Sequence, residues 1–589
     1  MYSFKNDIVH LFYVLSHRTF ETNSSCKNTI QIKKLALLFE SVVRSIFQNN
    51  DKEYFQLIQK LILYTRDILY GKGEQYLSYM MITAFYKYYP EDAISLIHSF
   101  VYSKCNENGI YRPPYGCWRD MKHICSYVKN MDPIASIPLI KEIMNIINKQ
   151  LYDDLNNKTK QKSLVAKWIP REKSKYGWLF CELAIHWAKK HTPYLFYGKK
   201  TCGSSIMCES SIIRRNNLCY SNYRKIVSML NSILDTVEIK QCSHNWKNIS
   251  PEKINIGTLI KQKTAFFSDK NVDRIECSNK LHTYFLVKVI EKEKEKEKPD
   301  FIKDFFSNSY FRNKSYKIDI SFFVKEAIQI NRMTLPLCVS KPADKFSNFD
   351  FFLNKLEKTY FLENIWNHYK NNCYPLENVI PIVDISLSMN ASNMIPYYSA
   401  IGIACLLASK SSFKNRIITI DHQPSWINLD DCLNLCSMIK KIIESSKGGT
   451  RSDIFESIEL IIQSILITNM TPEQVGKMVF VVLSDMNHIN FLEETHQKIE
   501  KLFQEAGLKS IYKKSFTVPH IIYWNLSNQF LEYPPCLHNT PRVSLLSGSS
   551  QSLINDFCFL GSSSHLDEYT FDNPFNVIRR VLCQKRYDI

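Results

Sequence analysis

Apolar residues recur at three- and four-residue steps through roughly the first 370 positions. Leu35, Leu38, Phe39, Val42, Val43, Ile46 and Phe47 fall on one stripe of a helix, as an amphipathic segment docked on a core requires. The same spacing returns in Phe55, Leu57, Ile58, Leu61 and Ile62, in Tyr76, Leu77, Tyr79, Met80, Ile82 and Phe85, and in Ala93, Ile94, Leu96, Ile97 and Phe100. Further helices are predicted at 118–130, 134–152, 178–190, 221–235 and 351–370. Short helices in series, without strand-like alternation, imply stacked antiparallel pairs of the HEAT or armadillo kind. No fixed-period repeat is visible, so such a stack would be irregular.

After Pro375 the pattern changes to short apolar runs alternating with amphipathic ones. Strands are predicted at 379–385, 415–421, 425–428, 478–484 and 519–525, and helices at 393–411, 430–446, 453–467, 492–507, 550–560 and 574–584. That alternation predicts a mostly parallel sheet covered on both faces. The expected organisation is therefore an all-α HEAT-like helical repeat domain over 1–374, followed by an α/β Rossmann-like domain over 375–589. Two stretches interrupt the helical half and read as insertions. One lies near 195–220, rich in Gly, Ser, Cys and Asn, with Lys199-Lys200 and Arg214-Arg215; the other spans 240–320 and holds the Glu-Lys alternation from Glu291 to Lys298. Alternating charge of that kind is usually a solvated helix or a linker.

Length supports more than one domain, since 589 residues exceed what a single hydrophobic core normally organises. The formal charge of +18 has two readings: Lys/Asn/Ile/Tyr-rich usage of an AT-rich genome, or attraction to a polyanion such as RNA, DNA or acidic protein. The eighteen cysteines are spread along the chain. The start Met1-Tyr2-Ser3-Phe4-Lys5-Asn6-Asp7 lacks a signal-peptide layout, so reduced thiols are expected. Cys202/Cys208 and Cys432/Cys436 do not form zinc knuckles. No apolar run reaches the roughly 18 residues of a membrane span.

The strongest chemistry lies behind the strand at 379–383. Asp384-Ile385-Ser386-Leu387-Ser388 places one carboxylate and two hydroxyls at a strand's carboxyl end. In open α/β sheets ligands bind there, at the point where strand order reverses. Gly448-Gly449-Thr450 adds a hydroxyl on a glycine-rich loop, and Asp485 adds a carboxylate behind Val479–Ser484. Oxygen donors of this kind suit a hard cation such as Mg²⁺. The expected metal set is Asp384, Ser386, Ser388, Thr450 and Asp485. Ser386 and Ser388 would ligate directly, the others directly or through water, leaving one position for a partner's carboxylate or phosphate oxygen. The competing explanation is helix capping by Asp384 and the serines; Asp453 reads better as a cap of helix 453–467 than as an alternate ligand.

Other motifs read as structure. Arg66-Asp67-Ile68-Leu69-Tyr70-Gly71-Lys72-Gly73-Glu74 lacks the Gly-Lys-Ser/Thr ending of a phosphate loop and suits a tight inter-helix turn, with Arg66 and Glu74 pairing across it. Tyr115-Gly116-Cys117-Trp118-Arg119-Asp120 reads as an aromatic-anchored turn opening a helix, with a stacking role for Trp118 as the alternative. Ser544 and Ser547-Gly548 do not form a nucleophile elbow. His422, His488 and His520 fall near predicted strand ends.

Asp-x-Ser-x-Ser, then Thr450, then Asp485 resembles the metal-ion-dependent adhesion site of a von Willebrand factor A domain, although Leu387 stands where glycine is common. Together with Arg66-Asp67 through Glu74, Tyr115 to Asp120, Lys167-Trp168-Ile169-Pro170, Ile522-Tyr523-Trp524-Asn525-Leu526 and Leu545-Leu546-Ser547-Gly548, these motifs are similar to a family of giant viruses, plants and fungi. Its members join a TROVE-like helical half to a von Willebrand A-like half. The Ro autoantigen proteins share that architecture, in which a helical ring closed by a von Willebrand A domain binds RNA ends. That resemblance implies RNA binding, while the donor set itself makes the leading expectation a non-enzymatic binding or scaffold protein that engages an acidic protein partner through Mg²⁺ or another divalent cation. The alternative is an RNA-binding ribonucleoprotein component that takes small RNA. A metal-dependent hydrolase would need a positioned general base, which the sequence does not offer. The expected setting is host cytoplasm or virion.

Overall fold

The computed structural model describes residues 2–14, 26–105, 111–131, 137–157, 162–197, 209–251, 319–332, 373–445, 454–486, 492–527, 536–549 and 573–588, with shorter runs between 254 and 281, between 355 and 371 and at 553–558. Thr450, Asp453, His488, Lys199-Lys200 and Glu291–Lys298 lie outside them. The chain forms two units, one from Met1–Ser78 and Lys317–Ile589, the other from Tyr79–Tyr316. This division differs from the 374/375 boundary expected from hydropathy, because the first 78 residues and those from 317 onward group with the α/β region.

In the first unit, α1 (Tyr2–Tyr13), α2 (Cys26–Asn49) and α3 (Lys52–Arg66) open the chain. Asp51 caps α3 by accepting from the Glu53 and Tyr54 amides at 3.1 and 3.2 Å, satisfying donors that a helix start leaves free. Phe12 on α1 stacks on Tyr64 of α3 with centroids 5.2 Å apart. The 66–74 segment is a turn, as its glycines predict. Gly73 has φ 70°, and a Cβ on Gly71 would lie 2.2 Å from the Tyr64 carbonyl oxygen. Asp67 anchors this turn to a distant segment. It is buried and accepts from Arg586 Nη2 at 2.9 Å, Tyr587 Oη at 3.1 Å and the Leu69 amide at 2.9 Å.

The second unit is helical. It comprises α4 (Tyr76–Tyr86, which crosses the division), α5 (Pro90–Val101), α6 (Arg119–Met131), α7 (Ile137–Asn156), α8 (Gly177–His191) and α9 (Glu209–Leu234). From α6 to α9 each helix packs on the next. Buried Asn148 on α7 ties three of them, donating to the Leu183 carbonyl on α8 at 3.0 Å and accepting from Tyr223 Oη on α9 at 2.8 Å. Asp120 holds the turn before α6, accepting from the Cys117 amide at 2.8 Å and from Tyr79 Oη at 2.7 Å. A Cβ on Gly116 would sit 2.4 Å from that carboxylate. Part of the expected 195–220 insertion is helix, since α9 begins at Glu209. Within 240–320, Trp246, Ile249, Ile254, Leu259, Phe266, Cys277 and Leu281 form a small core.

The first unit resumes with α10 (Ile320–Arg332) and a six-stranded sheet. Its strands are β1 (Val379–Asp384), β2 (Arg416–Ile420), β3 (Trp426–Asn428), β4 (Val479–Ser484), β5 (His520–Asn525) and β6 (Val543–Ser547). They lie in the order β3-β2-β1-β4-β5-β6. All neighbours run parallel except β2 with the edge strand β3. Pro381, which has no amide to donate, lies in β1 ahead of its first pairing with β2 at Ile382. The intervening helices are α11 (Ala391–Lys410), α12 (Leu435–Ser445), α13 (Ile454–Ile467) and α14 (Leu492–Lys509), with α15 (Pro574–Leu582) last. Every residue of β1, β4 and β5 is buried, as strands covered on both faces must be. α11 lies against α10 so closely that a Cβ on Gly402 would meet Ile320 Cγ1 at 2.9 Å. α1 packs on β6 and α15, with Lys5 Nζ 5.1 Å from the Phe575 ring.

Candidate functional site

The strand order reverses direction between β1 and β4, and there the carboxyl ends of both strands carry polar groups. Register sets Asp384 beside Ser484, since Val383 pairs with Leu483. Ser484 in turn pairs with Asn525, and Asn525 with Ser547. Side chains level with one another in a parallel sheet share a face, so Asp384, Ser484, Asn525 and Ser547 form a polar row across four strands. All four are buried. Ser484 Oγ donates to Asp384 Oδ2 at 2.6 Å.

The three neighbouring strand ends share one local device. Asp384 Oδ1 accepts from the Ser386 amide at 3.0 Å, Ser484 Oγ from the Met486 amide at 3.1 Å, and Asn525 Oδ1 from the Ser527 amide at 2.9 Å. Each is a side-chain turn onto the amide two residues ahead. Helix capping, the competing explanation for Asp384, therefore becomes a turn onto its own loop. Ser386 and Ser388 are brought together, their Oγ atoms 2.9 Å apart in a shared hydrogen bond. Ser386 is buried, Ser388 half-buried, and Leu387 between them points outward at 59% exposure.

Asp485 is buried at the end of β4. Burial pushes the Asp384 carboxyl above its ordinary value, and the Asp485 charge pushes it further, against hydrogen bonds from Ser386 and Ser484 that pull it down. Two carboxylates in a poorly solvated rim favour an added positive charge. Two oxygens 2.9 Å apart also stand as neighbouring ligands do around a small octahedral cation, where bonds of about 2.1 Å give an edge of about 3.0 Å. The oxygens of Asp384, Ser386 and Ser388, brought together at one strand end, are therefore of the kind a hard cation such as Mg²⁺ takes. Among the described residues no group of three or more His, Cys, Asp or Glu side chains could hold a metal.

Sequence reasoning missed several members of this rim. Asp421 is buried at the carboxyl end of β2 and accepts from the His422 amide at 2.7 Å. Asn525 offers an Nδ2 that finds no acceptor among the described residues, though the side chain is buried. Beyond Ser547, whose Oγ donates to the Phe12 carbonyl at 3.3 Å, lies the Lys72 ammonium. It donates to the carbonyls of Phe12, at 2.6 Å, and Val14, neutralising the negative end of α1. Burial lowers Lys72 to about 7, with Glu74 opposing. Asn525 and Lys72 both sat in motifs already quoted; the missing signal was sheet register.

His520 opens β5 and so lies at the opposite end of the sheet from this rim. Its Nε2 meets Ser544 Oγ at 2.8 Å, which superficially suggests a nucleophile pair. The imidazole is buried, with its basicity lowered to about 3 by burial, Arg542 and His496. Its Nδ1 has no acceptor among the described residues to orient it, so among them the pair lacks the third group that activation requires. The described cysteines, including Cys432 and Cys436, are free thiols. No helix among the described residues is long and apolar enough to cross a membrane.

Residues 378–576 match the model of a domain of unknown function, DUF7788, which begins where β1 does. The uncharacterized protein L728 of Acanthamoeba polyphaga mimivirus is 24% identical over 561 residues, covering 91% of this chain and 80% of that protein. That likeness supports the giant-virus part of the resemblance drawn from the motifs. Among solved structures the chain is similar to the Ro (RSR) protein of Deinococcus radiodurans, at 10% identity and a TM-score of 0.29, over 94% of this chain and 99% of that one. An overlap that slight carries no argument about fold or ligand.

Proposed function

We propose that the α/β region is a von Willebrand A-like binding domain, and that its rim engages an acidic protein partner through a divalent cation, Mg²⁺ first among candidates. The strand order, reading 3-2-1-4-5-6 with one antiparallel edge strand, supports the doubly wound fold such a domain needs. The single observation that carries the reading is the pairing of Ser386 and Ser388 hydroxyls at 2.9 Å beside a buried, destabilised Asp384 carboxyl. Asp384, Ser386, Ser388 and Asp485 would hold the ion, with Thr450 as the remaining member of the set. The ion supplies positive charge and an open coordination position; the protein supplies fixed oxygens. We read the chain as non-enzymatic and its helical unit as an irregular HEAT-like stack.

The test is thermal unfolding of the full chain in EDTA and in Mg²⁺ or Mn²⁺. The wild type should gain stability with metal, and Asp384→Ala should not. Ser388→Ala, at a half-buried hydroxyl, guards against loss of fold and should weaken the response. A wild-type chain indifferent to metal, or an Asp384→Ala chain that responds fully, would sink the reading. The alternative, an RNA-binding ribonucleoprotein component, draws support from a different surface, the basic and aromatic face of the helical unit, and needs no metal.

A further inference from the structure

In the helical unit, the start of α6 and the segment 165–178 bring cations and rings together. Lys122 Nζ lies 5.0 Å from the Trp168 ring centre and 5.5 Å from that of Tyr176, so one ammonium stands between both rings. Arg119 faces Trp168 at 5.6 Å, Lys175 faces Tyr176 at 5.8 Å, and Lys129 lies 3.9 Å over Trp178. Significant cation–ring pairs occur about once per 70–80 residues; here they crowd the stretches 119–129 and 167–178. The three rings are half-buried, while Arg171, Lys173, Lys175 and Lys129 are exposed. Two carboxylates nearby are already taken: Glu172 pairs with Arg224 at 3.4 Å and Glu238 with Lys167 at 2.8 Å.

The turn that carries these groups is fixed. Gly177 donates to the Ser174 carbonyl at 2.8 Å, and a Cβ at 177 would sit 2.0 Å from the Glu172 carbonyl oxygen. Tyr176 Oη is held 3.1 Å from His123 Nδ1. A fixed turn carrying rings edged with exposed cations is what a strand of unpaired nucleotides needs, because every base has a face to stack and every phosphate a charge to neutralise. An acidic peptide would use the lysines but leave the rings idle.

We propose that this face binds single-stranded nucleic acid, with bases stacking on Trp168 and Tyr176 and phosphates meeting Lys129, Arg171, Lys173 and Lys175. The assignment rests on the RNA-binding reading and gives it a site. Lys122 and Arg119, beside the same rings, add positive charge for the backbone. Metal plays no part.

Fluorescence anisotropy of the full chain with labelled oligouridine and oligothymidine, across a salt series, tests it. The wild type should bind at least one polymer, more weakly as salt rises. K173E/K175E, at two exposed positions, should weaken binding at least about tenfold and flatten the log–log salt slope by roughly 1.4, two phosphate contacts' worth. Trp168→Leu should cost about fivefold or more, the value of one stacked base; if that variant unfolds, the charge pair decides alone. Preference for oligouridine over oligothymidine would assign the ligand as RNA, the reverse as DNA. Tight binding that neither variant changes would remove this face and leave the RNA-binding reading standing. No binding of either polymer would end both. Equal competition by polyglutamate would make the face a general polyanion surface and overturn the proposal.

Discussion

The acidic rim of the sheet and the basic face of the helical unit use opposite strategies to present charge. At the rim, Asp384 and Asp485 are almost wholly buried, and both Asp384 oxygens accept from a nearby amide or hydroxyl. On the helical unit, Arg171, Lys173 and Lys175 stand in solvent, and the neighbouring Tyr176 is held through its hydroxyl. Buried charge is costly unless paired, so it is selective and changes its protonation readily. Exposed charge is cheap, screened by salt and tolerant of what it meets. The first arrangement suits one small ion; the second suits a long polymer.

The contrast breaks most decisively at Asp384. With Mg²⁺ at a hundredfold over its dissociation constant, the wild type should gain about 2.7 kcal/mol and Asp384→Ala nothing, while oligonucleotide binding stays unchanged in both. A loss of nucleic-acid binding in that variant would show that the two regions are not independent. Lys72→Met should come next. It strips donors from the Phe12 and Val14 carbonyls and should cost about 1–3 kcal/mol in urea unfolding, again without touching nucleic-acid affinity.

A pH series sharpens the comparison further. Burial and Asp485 raise the Asp384 carboxyl above 3.8, so ionising it costs the metal-free fold stability. From this group alone, the metal-free chain should gain stability as pH falls through the raised value. Mg²⁺ requires the ionised form, so the metal-induced rise in melting temperature should shrink as pH falls through that raised value. A metal response that grows on acidification would contradict the assignment. The last substitution is Asn525→Asp. It keeps the acceptor for the Ser527 amide, removes the unpartnered Nδ2 and adds a carboxylate two strands from Asp384. Stability without metal should fall, because the new carboxylate is buried, and the response to Mg²⁺ should increase.

Much of the α/β region was legible because buried strands announce themselves as continuous apolar runs. Val379–Asp384, Val479–Ser484 and His520–Asn525 each lie within a residue of the expected span. Val543–Ser547 was overlooked as a strand, since its serines at 544 and 547 interrupt the apolar run, and they are there because one meets His520 and the other the end of α1. The first 78 residues show helical periodicity but give no hint of their partner, because periodicity reveals an apolar face and not what covers it. Likewise Asp384, Ser386 and Ser388 announced themselves within five positions. Ser484, Asn525 and Ser547 did not, because what unites them is register. The basic face was invisible for a related reason: Lys122 and Trp168 are adjacent only once α6 is laid beside the later turn.

Three adjacent strands end in a side chain that grips the amide two residues ahead. Loops tied down in this way at their first step do not have to reorganise when an occupant arrives. For a small dication the slow event would then be shedding its own water, which Mg²⁺ does reluctantly, and not any rearrangement of the protein. Capture at such a rim should therefore be paced by the ion, and a more readily dehydrated one should enter faster without sitting any better.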